Sequence, residues 1–238
     1  MPSLEKDAFV PEDLPSATGV VADLLSARFS CRGYQPRAVP RETIEVMLRV
    51  AQLSASWCNA QPWNVIITEG ERTQRFAEAL YAHAVATPSS PDFAFPRQYA
   101  GPYAERRRET AFRLYDAVGV TRGDRVASSR QTAENFRLFG APHVAIIHTE
   151  ADLGIYGAVD CGGYAANLML AAQSLGVACI AQAALAMHPD FIRDHFGLPP
   201  TRRVVMGISF GFADLAHPAN GFRTPRADLA DVVQFLDR

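Results

Sequence analysis

The chain has 238 residues and a mass of 26.0 kDa, with 48% hydrophobic and 20% charged residues, enough to build a substantial buried core. Its 23 basic and 25 acidic residues give a net charge of −2 and a pI near 6.3, so no strong field exists to recruit nucleic acid or an anionic membrane. No apolar run reaches the length of a membrane span, and Cys31, Cys58, Cys161 and Cys179 lack the spacing of a zinc site or redox pair. They read as reduced thiols of a cytoplasmic protein.

Residues 1–17 read as a loose, flexible arm, and residues 18–238 as one domain. A first helix is predicted from about Thr18 to Ala27, with Val21, Leu24 and Leu25 as its apolar stripe. An extended segment, FSCRGY, follows. Pro40 suits the first turn of a second helix whose face is Ile44, Met47, Leu48 and Ala51. The polar loop SASWCNAQP leads into a strand from Trp63 to Thr68, and a helix is expected over 72–83. Residues 85–100, rich in Pro and aromatics, form an irregular excursion. With the helices expected over 102–118 and 124–139 it makes a lid-like insertion at about 85–125.

A strand is predicted over 143–148. The helix over 156–175 is apolar or small nearly all round, which predicts burial on every side, with Gly176 ending it. Strands at 177–181 and 203–211, with a short helix at 189–196 between them, complete the pattern. Helices and strands alternate irregularly, so the fold class is α+β. Nucleotide-loop, zinc-protease and serine-hydrolase signatures are absent from the sequence.

Four segments are candidate sites. In Arg28-Phe29-Ser30-Cys31-Arg32, alternation along an extended chain puts Arg28, Ser30 and Arg32 on one side and turns Phe29 and Cys31 inward. Two guanidiniums and a hydroxyl suit a phosphate monoester, although taken alone the segment fits a cation closing a helix C-terminus better. The loop with Ala55, Ser56, Trp57 and Asn59 offers amides and small groups for a heteroaromatic edge, or simply caps for a helix-to-strand turn. Gln182, Ala183 and Ala184 end a strand with small residues that would let a flat ligand approach, or would pack tightly. Arg223 and Arg226, in a Pro-stiffened turn, suit phosphate or a solvated tail.

Taken together and in order, these segments resemble the nitroreductase family of flavoproteins from about residue 21 to residue 235. The motifs that carry the likeness are Arg28-x-Ser30-x-Arg32, Asn59-Ala60-Gln61-Pro62-Trp63, ENFRLFGAP at 134–142 and the late arginines. The resemblance implies a central, mostly antiparallel sheet flanked by helices in an intertwined homodimer. It implies two interfacial FMN sites and NADPH or NADH as reductant. Arg28, Arg32, Arg223 and Arg226 would hold phosphate, and Ser56 and Asn59 would reach the other subunit's FMN. Asn135 or Arg137 would touch the flavin, and Gln182 to Ala184 would line it, with a backbone N–H near N5. The tail carrying Val232, Val233 and Phe235 would complete the partner's sheet.

No side chain is expected to act as a catalytic acid or base; the flavin carries the chemistry. Trp57, Phe93, Phe95 and Tyr99 are candidates for a pocket that takes a nitroaromatic or quinone acceptor. Phe93 and Phe95 fit equally as anchors of the excursion. Ala55 and Trp57 depart from the proline and small residue that many members carry at those positions. The competing readings are quinone, enone or halide reduction on the same scaffold, and a flavin-binding protein without turnover.

Overall fold

A four-stranded antiparallel sheet organises the molecule, as seen in a computed structural model that describes residues 16–236. Its strands are β1 (Asn64–Thr68), β2 (His143–Glu150), β3 (Ala178–Gln182) and β4 (Arg202–Gly211), in the order β1-β2-β4-β3. The two inner strands, β2 and β4, are nearly continuous apolar runs, as strands covered on both faces must be. Alternation along β2 splits its side chains between two cores. Ala145 and Ile147 join Ile44, Met47, Trp63, Tyr164, Leu168 and Phe210 on one face. Val144 and Ile146 join Phe76, Leu80, Leu138, Leu185 and Ile192 on the other.

The helices are α1 (Ser16–Ala27), α2 (Arg41–Ala51), α3 (Glu71–Ala86), α4 (Gly101–Ala117), α5 (Arg125–Ala133), α6 (Gly154–Ser174) and α7 (Pro189–Phe196). Helices α2 and α6 cover the first face, and α3 and α7 the second. Helix α2 follows its sequence pattern: Pro40 is its N-cap, and Ile44, Met47 and Ala51 are buried. Gly207 of β4 lets the 3-10 turn Ala183–Met187 settle on the sheet, because a Cβ there would stand 2.3 Å from Leu185. The expected arm at 1–17 lies outside the described residues except for Ser16 and Ala17, which open α1.

Three expectations need correction. Helix α6 is not buried all round within one copy: Ile155, Tyr156 and Val159 are 64%, 58% and 60% exposed on one face. On α1, Val21 and Leu25 of the stripe are likewise exposed and Leu24 is half-buried, so the helix has no buried residue. The helix expected to reach residue 139 stops at Ala133. Leu138 and Phe139 then adopt φ of 57° and 53° to enter the core, a conformation no right-handed helix continues.

His143 and His148 of β2 are both buried. His143 Nε2 accepts the Val39 N–H at 2.9 Å, which leaves Nδ1–H to donate to Thr68 O at 3.2 Å. Burial lowers its pKa. His148 Nδ1 has no partner among the described residues; burial, then the nearby Arg202, brings its pKa down to about 4. Between an unfolded value of 6.5 and about 4, the unfolded chain takes up a proton that the folded chain refuses. Stability therefore falls as pH drops through that window, by at most about 1.4 kcal/mol per pH unit for this residue. Urea unfolding at pH 7, 6 and 5 should give a shallower decline for His148→Gln than for the parent.

Candidate active site

The segment after α1 runs parallel to the outer edge of β3 through a Ser30–Cys179 bridge, and the Cys31 N–H donates to Cys179 O at 3.2 Å. This pins the segment from Arg28 to Arg32 beside the outer strand β3, three residues before its end at Gln182. Cys31 points inward and is fully buried, as alternation requires. Phe29 does not follow it into the core. It is half-buried, and the Arg223 guanidinium lies over its ring, 4.0 Å from the centroid.

The C-terminal turn is fastened to this segment by Asn220. Its Oδ1 accepts the Arg32 N–H at 2.7 Å, and its Nδ2 donates to Gly33 O and Asp214 O, both at 2.8 Å. Arg32 and Arg223 are thereby brought to one region. Arg32 lies near the rings of Phe139 and Phe222, 5.9 and 6.0 Å from their centroids. Neither arginine has an ion pair with a carboxylate among the described residues. Desolvation lowers the pKa of both. Their bonds are to backbone carbonyls, Arg32 to Ser30 O at 3.2 Å and Arg223 to Asn220 O and Phe222 O at 2.9 and 2.8 Å, and the remaining donors are of a kind that suits an anion. Arg226 stands apart: it is exposed and donates only to Thr224 and Pro225.

Gln182 closes β3, but its side chain is committed inward. Its Nε2 donates to Asn135 O at 2.8 Å, and its Oε1 accepts from the Ser209 hydroxyl. Only the backbone and the small residues Ala183 and Ala184 remain to meet a ligand at this edge. Asn135 is thus a neighbour of Gln182, whereas the Arg137 guanidinium stacks over Tyr81 at 4.0 Å and reaches Glu134 at 3.9 Å.

The loop carrying Ala55, Ser56, Trp57 and Asn59 forms a second cluster. Cys58, Asn59 and Gln61 have φ of 52°, 54° and 47°, left-handed geometry that L residues adopt at a cost. Internal bonds hold it: Ser56 Oγ accepts the Gln61 N–H at 2.9 Å, and Asn59 Oδ1 accepts from Gln61 Nε2 at 3.2 Å. Trp57 packs edge-on against Tyr156 of α6 with centroids 4.7 Å apart, and its N–H donates to Asp160. The loop therefore borders the uncovered face of α6. No hydrogen bond or ion pair joins it to the Arg32–Arg223 cluster among the described residues.

Trp57 also makes no ring contact with Phe93, Phe95 or Tyr99, so one copy does not assemble the four aromatics. Phe95 and Tyr99 are exposed on the excursion, and Arg107 sits over the Tyr99 ring at 5.2 Å. Sequence reasoning gave no role to Asn220, which heads the segment carrying Arg223 and Arg226, and missed Asp92. Their only signal was a polar residue in a loop.

The model for the nitroreductase family matches residues 25–212, which takes in the first cationic segment, the strained loop and the whole sheet. The chain belongs to the nitroreductase family. Among curated members it is 35% identical over 213 residues to the nitroreductase NfnB of Mycolicibacterium smegmatis, covering 89% of this chain and 91% of that one. It is 30% identical to a 4-nitrobenzoate reductase of Pseudomonas putida, covering 90% and 94%. Among solved nitroreductases, the FMN-dependent NfnB of Mycobacterium smegmatis in complex with NADPH superposes with a TM-score of 0.88. Identity there is 34%, with 93% of this chain and 100% of that one covered.

The strained loop gives a check of local geometry. At φ 52° and ψ 25° a β-branched residue is disfavoured, so Cys58→Val should destabilise the protein by about 1–2 kcal/mol relative to Cys58→Gly in urea unfolding.

Proposed function

We propose that the protein is an FMN-dependent reductase that oxidises NADPH or NADH and reduces nitroaromatic compounds, working as a cytoplasmic homodimer. The observation that carries this reading is the pair of acid-free guanidiniums, Arg32 and Arg223, joined through Asn220 from opposite ends of the chain. The donor set fits the phosphate of FMN, a dianion that asks for several charged donors. Arg28 and Ser30 extend that set, and Arg226 adds charge to the same turn. The mycobacterial relative, described as FMN-dependent and complexed with NADPH, supports the same cofactor and reductant here.

Residues 18–238 would act as one FMN-binding unit. Backbone at Gln182 to Ala184 would face the isoalloxazine, with an N–H donor near N5, while Asn135 and Ser209 keep the Gln182 side chain from intruding. Donors aimed at the flavin stabilise the charge it gains on reduction. Arg137 lies two residues after Asn135, the partner of Gln182 at that edge, and Phe29 and Cys31 would shape the wall behind the phosphate.

Support for the dimer comes from two uncovered features. Ile155, Tyr156 and Val159 leave an apolar face on α6, and Val232, Val233 and Phe235 leave another on the tail. The loop with Ala55, Ser56, Trp57 and Asn59 stands at the rim of the α6 face. A second copy packed there would bring Ser56 and Asn59 to the FMN held mainly by its neighbour. The excursion would then supply Phe93, Phe95 and Tyr99, with Trp57, as aromatic walls for a flat, electron-poor acceptor.

FMN, held by Arg32 and Arg223 with Arg28 and Ser30, would supply the redox chemistry, relaying hydride from NADPH to the acceptor. Two such cycles consume two NADPH and two protons and turn a nitro group into a nitroso and then a hydroxylamine, with one water released. The protein's share is to hold the cofactor, fix the order of visits and exclude bulk water. No helix among the described residues is long and apolar enough to cross a membrane, and the four thiols are unpaired, which suits a reducing compartment. The reported relatives are named for nitro compounds, which favours that acceptor class over quinones, enones or halides.

The purified protein should be yellow, dimeric and bleached by NADPH under anaerobic conditions; colourless material indifferent to added FMN overturns the reading. Arg32→Ala should fold but bind FMN about ten- to a hundredfold more weakly, the effect of losing about 1.5–3 kcal/mol of charged hydrogen bonding, as read by dialysis and flavin absorbance. Initial rates with NADPH and a nitrobenzoate should give parallel double-reciprocal lines, and intersecting lines would exclude the alternating order.

A further inference from the structure

Residues 87–100 have no regular structure, yet they are fastened firmly near their start. The Asp92 side chain is only 3% exposed. It accepts from Arg193 at 2.7 Å, from Arg203 at 3.0 Å and from the Val204 N–H of β4 at 2.8 Å. Arg193 is itself held by Asp190 and by Arg202 O at 2.8 Å, so α7, β4 and the excursion meet at one ionic joint. Two residues earlier, the Ser90 N–H donates to Met187 O at 3.0 Å. Met187 ends the 3-10 turn that begins at Ala183, beside the candidate flavin edge.

An irregular segment stands where its few anchors put it. A buried carboxylate with two guanidiniums and a backbone donor is a strong anchor, since charged hydrogen bonds are roughly twice as strong as neutral ones. Phe93 follows the anchor directly and Phe95 lies three residues beyond it, with the chain turning outward between them. Before Asp92, the Ser90 bond sets the root's distance from the flavin-lining turn.

We infer that Asp92 is a positioning residue for acceptor selection. Its carboxylate fixes where Phe93 and Phe95 stand relative to the flavin-lining turn, and so sets which acceptors fit. Asp92 acts through the excursion, with no contact to the acceptor. The inference rests on the proposed FMN site and deepens it.

The test compares the holoenzyme with Asp92→Asn, which keeps the size and an acceptor oxygen for Val204 but removes the charge. Arg203→Gln, which loses one of the two cationic partners, is the milder second variant should the first fail to fold. Three readouts are taken. Limited trypsin digestion reports cleavage after Arg97, inside the excursion. Anaerobic stopped flow gives the rate of flavin reduction by NADPH. Steady-state kinetics compare a single-ring nitrobenzoate with a two-ring nitroaromatic. For Asp92→Asn, KM for the two-ring acceptor should rise about tenfold while the single-ring value moves less than about threefold, kcat being little changed. Cleavage after Arg97 should accelerate several-fold, and flavin content and its reduction rate should hold. Arg203→Gln should fall between. An unchanged cleavage rate, or equal losses in flavin reduction and in both acceptors, overturns the inference. A parent protein without flavin instead defeats the proposed function, and the digestion still tests the anchor.

Discussion

The amide of Asn220 is the contact on which the candidate site depends. It is buried, and it makes three of the four hydrogen bonds an amide offers, to Arg32, Gly33 and Asp214. The chain between Arg32 and Asn220 builds the entire sheet, so this one side chain closes a loop spanning 188 positions. Each bond is worth only about 1 kcal/mol net. Their weight lies in direction. They oblige two cationic side chains to occupy one region that charge repulsion alone would have them leave. Close packing of Gly33 against His217 allows no side chain to intervene, a Cβ there lying 2.3 Å from the His217 ring.

The sheet order translates that closure into a working edge. With β3 outermost, its free side receives the segment at 28–32, and its end presents Gln182 to Ala184. With β4 central, the same strand that pairs with β3 also receives Asp92 at its start. The cationic seat and the aromatic excursion are thus both referenced to one strand, buried along most of its length. Such a strand moves little, which is what a site built from loops needs for a scaffold.

Much of the architecture was legible because local chemistry and burial agree. Spacing gave α2, Pro40 and Gly176 gave helix ends, and the continuous apolar stretches gave the inner strands. The misreadings have physical causes. Apolar residues all round α6 suggest total burial, whereas a single copy leaves Ile155, Tyr156 and Val159 uncovered, the face that the proposed dimer would bury. Phe29 left the core because an arginine from 194 positions away gave it a better-placed partner. The Gln182 amide, which looked available, is claimed by Asn135 and Ser209. The roles of Asp92 and Asn220 were hidden for the same reason: apart from Asp214, the partners already named for them in the excursion joint and the cationic segment lie about a hundred residues away or more, and no local period encodes such a meeting. The left-handed residues Cys58, Asn59 and Gln61 left no signature either, since only the asparagine favours that geometry.

The strained loop sits at the rim of an uncovered helix face, away from the arginines it is proposed to complement. On the proposed reading, in which a second copy completes the site, occupancy and self-association would belong to a single equilibrium. Whatever factor the second copy adds to cofactor affinity, the cofactor returns to the association of the copies. Dilution would strip the prosthetic group from an otherwise unaltered chain, and saturating it would hold the pair together at concentrations where bare chains separate. A cell making little of this protein would therefore govern its holoenzyme fraction through synthesis rate as well as through flavin supply.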